Sequence, residues 1–393
     1  MTSTDSNIVD FPVRTPGEPF PPKVYAEFRN RPGLIRSELP SGQPVWLVAR
    51  HEDVRTVLTD PRISANPSNE GFPKVSRTGG VPTQEEIPGW FVGLDPPEHN
   101  RFRKILIPEF SVPRVKKWRP TIQRIVDERI DALLAEGNSA DLVASFALPV
   151  PSLVISAILG VPPADREFFE SRTRTLVDIV ASTDSERSDA VRQLLRYISR
   201  LISVRRKRPG DDLISRILAT GVLTVEELAG VVMLVLIAGH ETTANNIALG
   251  VVTLLANPNW IGDVRVVDEL LRYHAVADLV AMRTAVEDVE IGGQLVRAGE
   301  GIWPLLAAAN HDSGVFDCPH VFDPARSARG SHVAFGYGVH QCLGQNLVRA
   351  EIGIVCQTLF ARVPTLRIAE PADQLPFKYT GTIFGLHTLP VRW

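Results

Sequence analysis

The stretch Phe335-Gly336-Tyr337-Gly338-Val339-His340-Gln341-Cys342-Leu343-Gly344 sets one cysteine between glycines, and a helical pattern follows it directly from Leu343 to Phe360. A thiolate there lies at a helix N-terminus, where backbone N–H groups and the helix dipole favour negative charge. Glycine carries no Cβ, so the backbone can approach a flat partner closely. Cys342 is therefore a candidate metal ligand, of the kind an iron–thiolate bond beneath a macrocycle needs. The plainer alternative is a small buried hydrophobe, the ordinary fate of a free cysteine.

A second stretch breaks local rules. Thr224 and Glu227 stand three apart as a capping box. The helix they open is apolar almost all round through Ala238, which predicts burial. Ala238-Gly239-His240-Glu241-Thr242-Thr243 follows. Glycine costs about 1 kcal/mol against alanine inside a helix, and a buried charge costs more unless paired. A use exists for each residue. Gly239 removes bulk beside a ligand. The Thr242 hydroxyl can bond back to the Ala238 carbonyl, loosening the ladder and bending the helix. A loosened turn can hold water and dioxygen, and Glu241 can relay protons through that water. A polar kink without chemistry is the alternative.

Phe335, Gly338, Cys342 and Gly344 match Phe-x-x-Gly-x-x-x-Cys-x-Gly, and on that pattern the sequence resembles the cytochrome P-450 family. A chance match in a chain of this length is on the order of one in a thousand. The helix segment also matches the family's Ala-Gly-x-Glu/Asp-Thr-Thr. The resemblance implies haem b, with Cys342 as the iron ligand and Gly239, Glu241 and Thr242 on its distal side. It assigns His99 and Arg103, after Asp95-Pro96-Pro97-Glu98, to haem propionates, together with Arg283 and His340. Arg101 and Lys104 then point elsewhere, toward an acidic redox partner. Glu269 and Arg272 become a structural pair with Arg326 as third member. Segments 63–94, 234–242, 276–282 and 382–384 line the substrate pocket, with Ala238, Val280, Ile383 and Phe384 as contacts.

The elements that must position these groups read as follows. Pro44 to Val48 is a strand and Glu52 to Thr59 a helix. Periodicity is lost from Ile63 to Leu94. Helices are predicted from Asp95 to Phe110, Val115 to Ala135, Phe146 to Gly160, Ala164 to Ala181 and Ser185 to Lys207. Val289 to Val296 is a hairpin about Gly292-Gly293, Ile302 to Leu306 a strand, and Gly381 to Pro390 a second hairpin. Residues 1–22 are read as a flexible segment and 23–393 as one domain. The fold class is mainly α with small β-sheets. The resemblance makes it a triangular helical prism around a buried haem.

Bulk properties agree. The chain has 393 residues, net charge −3, and 44% hydrophobic against 22% charged residues, enough for a large core. The charge balance gives no argument for nucleic acid. Cys318, Cys342 and Cys356 form no disulfide framework. No basic segment precedes an apolar core at the N-terminus, so no signal peptide is read, and a soluble cytoplasmic monomer off the membrane is expected. The resemblance implies a haem-thiolate monooxygenase that inserts one oxygen atom from dioxygen into a C–H bond. The substrate is expected to be a bulky, largely apolar natural product of peptide or polyketide type, as in antibiotic biosynthesis. No Gly-x-Gly-x-x-Gly follows a strand, so electrons come from outside, from a ferredoxin and its NAD(P)H-dependent reductase. Epoxidation, phenol or aryl coupling, direct use of peroxide, a non-enzymatic haem sensor and a metal-free helical module are the alternatives.

Overall fold

One helix organises the molecule. The capping box at Thr224 is complete: Glu227 N–H donates to Thr224 Oγ1 at 3.1 Å and Thr224 N–H to Glu227 Oε2 at 2.9 Å. The helix it starts runs unbroken from Val225 to Ala256 and is buried on nearly every side. The computed structural model describes residues 9–10, 14, 20–74, 82–177, 183–327, 329–379 and 382–393.

The described helices are α1 (Val24–Asn30), α2 (His51–Thr59), α3 (Glu98–Leu106), α4 (Val112–Ala135), α5 (Pro149–Leu159), α6 (Arg166–Val177), α7 (Asp184–Lys207), α8 (Leu213–Thr220), α9 (Val225–Ala256), α10 (Val266–His274), α11 (Leu306–Asn310) and α12 (Gln345–Arg362). Helix α9 packs against α5, α6, α7, α8 and α12, and α12 packs in turn on α4. By length and apolar composition α9 could cross a membrane, but 72% of its apolar window is covered by these neighbours.

The described strands are β1 (Val9–Asp10), β2 (Ile35–Glu38), β3 (Pro44–Val48), β4 (Ile63–Ser64), β5 (Ser139–Asp141), β6 (Arg283–Ala285), β7 (Val289–Ile291), β8 (Gln294–Val296), β9 (Gly301–Pro304), β10 (Arg367–Ile368) and β11 (Pro390–Arg392). They form one sheet ordered β1-β2-β3-β9-β6-β4, a second ordered β10-β11-β5, and the hairpin β7-β8. In the large sheet β3 pairs parallel with β9 and β6 antiparallel with it, so Arg283 lies opposite Ile302. The hairpin turns at Gly292 and Gly293, both at positive φ.

The mainly helical class with small sheets is what the structure shows. Several elements differ from the sequence reading, for local reasons. Helix α4 starts earlier, at Val112, because Pro113 suits a first turn. Thr183 and Glu186 make a second capping box, which moves the start of α7 to Asp184. The predicted end of the preceding helix at Ala181 lies outside the described residues. The predicted strand Ile302 to Leu306 stops at Pro304, and α11 begins two residues on. The predicted hairpin from Gly381 to Pro390 is shifted. Gly381 lies outside the described residues, the antiparallel return is Phe377 opposite Leu386, and Pro390 already belongs to β11.

Most of segment 1–22 lies outside the described residues, but where it is described it is docked rather than free. Val9–Asp10 pair parallel with Ser37 and Glu38. Arg14 is buried against Asp278, with Nη2 at 3.2 Å from Oδ2.

Candidate functional site

The cysteine loop is fixed by its own backbone. Gly336 and Gly338 sit at φ +67° and +73°. A Cβ on Gly338 would stand 2.5 Å from the Leu58 carbonyl oxygen, so both the turn and the close approach require glycine. Cys342 N–H donates to Phe335 O at 2.8 Å and Gln341 N–H to Gly338 O at 3.0 Å. The sulfur is then met by the backbone N–H groups of Gly344 and Gln345 at the start of α12. A Cβ on Gly344 would lie 4.0 Å from that sulfur. Burial pushes the Cys342 thiol up, while these N–H groups and the guanidiniums of Arg103 and Arg349 pull it back. A metal bound here would take the place of the proton, because a coordinated thiol is deprotonated. Cys356, buried on α12 without such support, is pushed up to about 12. Cys318 is exposed.

Four nitrogen side chains gather nearby. His99 and His340 stack with ring centroids 4.1 Å apart. Arg103 lies one turn along α3 from His99, and Arg283 is buried on β6. Burial and then Arg103 hold His99 down at about 4; burial and then Arg283 hold His340 at about 2. Burial lowers Arg283 to about 10. Among the described residues neither guanidinium is paired with a carboxylate. Arg103 Nη1 donates to Gln341 O at 2.9 Å and Arg283 Nη1 to Met282 O at 2.7 Å. Asp95, whose field reaches Arg283, is occupied by the Ala65 N–H at 2.8 Å and by Ser64. His99 Nδ1 is buried without a partner. Such a cluster calls for anions from outside the chain. Two propionates would supply them, so these residues fit haem b. Among the described residues no three of His, Cys, Asp and Glu gather as a metal site, and a metal carried by a macrocycle needs none.

Helix α9 opens at one turn. Val231 to Leu236 and Thr243 to Val251 are buried, whereas Ala238 is exposed and Gly239 and Thr242 are half-exposed. Thr242 Oγ1 donates to Ala238 O at 2.8 Å, as read from sequence. Asn245 and Asn246 repeat that bond to Glu241 O and Thr242 O, each at 2.9 Å. The helix remains continuous through this turn. A Cβ on Gly239 would meet Ile155 of α5 at an ordinary contact distance of 3.5 Å, so packing on α5 does not by itself require the glycine. Glu241 is buried, and its Oε1 accepts from Lys378 Nζ at 2.8 Å. Sequence reading missed that lysine, which lies far along the chain with no local signal.

The pocket segments meet through backbone bonds. Leu279 N–H donates to Thr382 O at 3.2 Å and Phe384 N–H to Val276 O at 2.7 Å. Val280 is 45% exposed and Ile383 half-exposed. Phe384 is buried instead, stacked on Phe20 at 3.8 Å and on Phe377 at 5.6 Å. It supports the wall rather than presenting a ring.

The scaffold pair is closed on itself. Arg272 donates to both carboxylate oxygens of Glu269 at 2.7 and 2.8 Å and to the carbonyls of Asn310 and Pro319. Arg326 Nε lies 3.5 Å from Glu269 Oε1, completing the expected trio. Arg101 is not free for a partner, because its guanidinium grips both oxygens of Glu227 at the start of α9.

A thiol held by helix amides, a basic cluster lacking its anions and an opened turn of the central helix together define a haem-thiolate protein. The cytochrome P450 family model matches residues 264–391. Cytochrome P450-SU2 of Streptomyces griseolus is 44% identical, over 97% of this chain and 96% of its own. Vitamin D3 dihydroxylase of the same organism is 43% identical over 100% and 99%. The crystal structure of mycinamicin VIII C21 methyl hydroxylase from Micromonospora griseorubida, bound to mycinamicin VIII, matches with a TM-score of 0.90 at 40% identity. It covers 98% of this chain and 100% of that one. The chain belongs to the cytochrome P450 family. It is a monooxygenase, and its cofactor is haem b.

Proposed function

We propose that this monooxygenase hydroxylates an unactivated C–H bond of a bulky, largely apolar natural product of peptide or polyketide type, in the cytoplasm of a producer of antibiotics. One observation carries the reading: the surfaces that open at the distal turn and beside it, Ala238 and Val280, are aliphatic, and no charged side chain stands between Val276 and Val280 except the buried Asp278. The relatives named for hydroxylation of mycinamicin VIII and vitamin D3 support it.

Cys342 would hold the iron, and Phe335, Gly338 and Gly344 shape the loop that carries it. His99, Arg103, Arg283 and His340 take the propionates. Haem b, once bound, supplies the activation of dioxygen and the insertion of one oxygen atom. The chain's own residues manage protons and water. The Thr242 hydroxyl already donates its proton to Ala238 O, so its oxygen lone pairs face the open turn as acceptors. Glu241 carries protons to that turn. Ala238, Val280 and Ile383 orient the substrate by apolar contact. Electrons come from a ferredoxin and its NAD(P)H-dependent reductase.

The test is spectral titration of the purified protein against a panel of such metabolites, followed by turnover under labelled dioxygen. One labelled oxygen atom in a hydroxylated product is expected. Binding restricted to small polar compounds, or product without label, would overturn the reading. Cys342→Ser is expected to abolish the red-shifted Soret band of the reduced carbon monoxide complex. Thr242→Ala is expected to keep haem while diverting electrons to peroxide.

A further inference from the structure

Glu241 does not stand alone at the distal turn. Its pair with Lys378 runs outward, since the Lys378 side chain keeps 20% exposure where that of Glu241 keeps 9%. A lysine stem can lie along apolar surface while its ammonium stays in touch with water. The carboxylate, taken from water, needs such a partner.

The backbone under both residues is fixed by the same return of chain. Lys378 N–H donates to Gly385 O at 2.8 Å and His387 N–H to Pro376 O at 2.9 Å. Gly385 presses so closely on α9 that a Cβ would overlap Asn245 Oδ1. That oxygen accepts the Leu386 N–H at 3.3 Å, and Asn245 Nδ2 donates to the Glu241 carbonyl at 2.9 Å. One strand of the return thus holds the Glu241 side chain and the other holds the helical turn that carries it. Ile383 lies between the two.

We infer that Lys378 is a positioning residue for Glu241. Its ammonium, itself in touch with water, holds the buried carboxylate at the distal turn, where Glu241 takes one proton from the outer side for each proton it gives up inside. The C-terminal return that touches the substrate pocket therefore also sets the rate of proton supply. The inference rests on the reading of Glu241 as the proton carrier.

The test uses the holoenzyme with a plant-type ferredoxin, its reductase and NADPH, without added substrate. Oxygen consumed is partitioned between peroxide and water, and the solvent deuterium isotope effect is measured. Lys378→Met is expected to raise the peroxide share and the isotope effect about threefold, with Lys378→Arg restoring most of both. Glu241→Gln is expected to match it, and the double variant to add nothing. Independently of turnover, acetic anhydride labelling of Lys378 in the folded protein is expected to rise about threefold in Glu241→Gln, because the ion pair shields the amine. If Glu241→Gln moves the isotope effect and Lys378→Met does not, the inference fails while the proton-carrier reading stands. If Glu241→Gln itself changes nothing, that reading fails. Should Lys378→Met lose haem, labelling decides: an unchanged rate in Glu241→Gln overturns the pair.

Discussion

At the scale of single residues, what could be read in advance was what depends on side-chain type and short spacing. Cys342 and its glycines, the back-bond of Thr242 and the pair Glu269 and Arg272 all fall within a few residues of their partners or of a recurrent pattern, whereas Arg326, far along the chain, was placed by the resemblance alone. Lys378 and the buried stack of Phe384 were not legible, because their contacts are made across the fold. Gly336 and Gly338 separate two terms that sequence alone cannot. Both are left-handed, but a Cβ on Gly336 meets nothing within 4 Å whereas one on Gly338 meets Leu58 O at 2.5 Å. Gly336→Ala is expected to cost about 1–2 kcal/mol from backbone conformation alone. Gly338→Ala is expected to cost about 1–3 kcal/mol more from overpacking, and to weaken haem retention. Denaturant unfolding of both variants checks it, and equal losses would contradict the assignment.

His274 gives a pH-dependence at the same scale. Its Nε2 lies 2.8 Å from Thr253 Oγ1, and burial, then Arg272, holds the ring at about 3. The unfolded chain takes up a proton below about 6.5, where the folded chain does not. The stabilisation is therefore complete above pH 6.5 and is lost as pH falls toward 3. Between pH 6.5 and 5 the loss from this group is about 2 kcal/mol. His274→Gln is expected to flatten that part of the stability profile, measured as unfolding free energy against pH.

Elements were legible where caps and periodicity are local, and misjudged where tertiary contacts decide. Helix α9 carries side-chain back-bonds from Thr242, Asn245 and Asn246 yet stays continuous, since packing on several neighbours outweighs local loosening. Helix α11 was missed because five residues carry little periodicity. Helix α10 shows how one element fixes another. Glu269 and Arg272 are wholly buried, and the arginine ties α10 to the carbonyls of Asn310 and Pro319 while Glu269 also accepts the Asp323 N–H at 2.9 Å. Glu269→Gln leaves a buried guanidinium without its counter-charge, which is expected to cost about 3–5 kcal/mol. The segment from Asn310 to Arg326, which leads into the cysteine loop, loosens with it. Lower unfolding free energy together with faster haem loss is the expected pair of readings. Destabilisation with haem loss unchanged would confine the effect to α10.

Across the whole molecule, the large sheet and one buried carboxylate join the ends of the chain to its middle. Strand β3 pairs with β9, and β1 adds an edge, through strands of two to five residues that are too short to reveal their partners in sequence. Asp278, fully buried, accepts from Ala307 N–H at 2.7 Å, Tyr25 Oη at 2.7 Å and Arg14 Nη2 at 3.2 Å. Burial, then Asp278, pushes the Tyr25 phenol well above its ordinary value. Arg14 also lies over the rings of Phe20 and Phe384, so the same junction backs the C-terminal wall of the pocket. Asp278→Ala takes a buried carboxylate away from Arg14, from the Tyr25 phenol and from the Ala307 N–H, and is expected to cost about 3–5 kcal/mol. If residues 23–393 are one domain, that loss lowers a single cooperative transition for the haem site and the sheet together. The chain around Arg14, held here by Asp278, is then expected to become the first site of protease cleavage. Asp278→Asn keeps one acceptor oxygen and is expected to lose less. Fluorescence and haem absorbance followed through the same denaturant titration would separate the cases: coincident curves support one unit, and a transition of the sheet ahead of haem release would divide the chain.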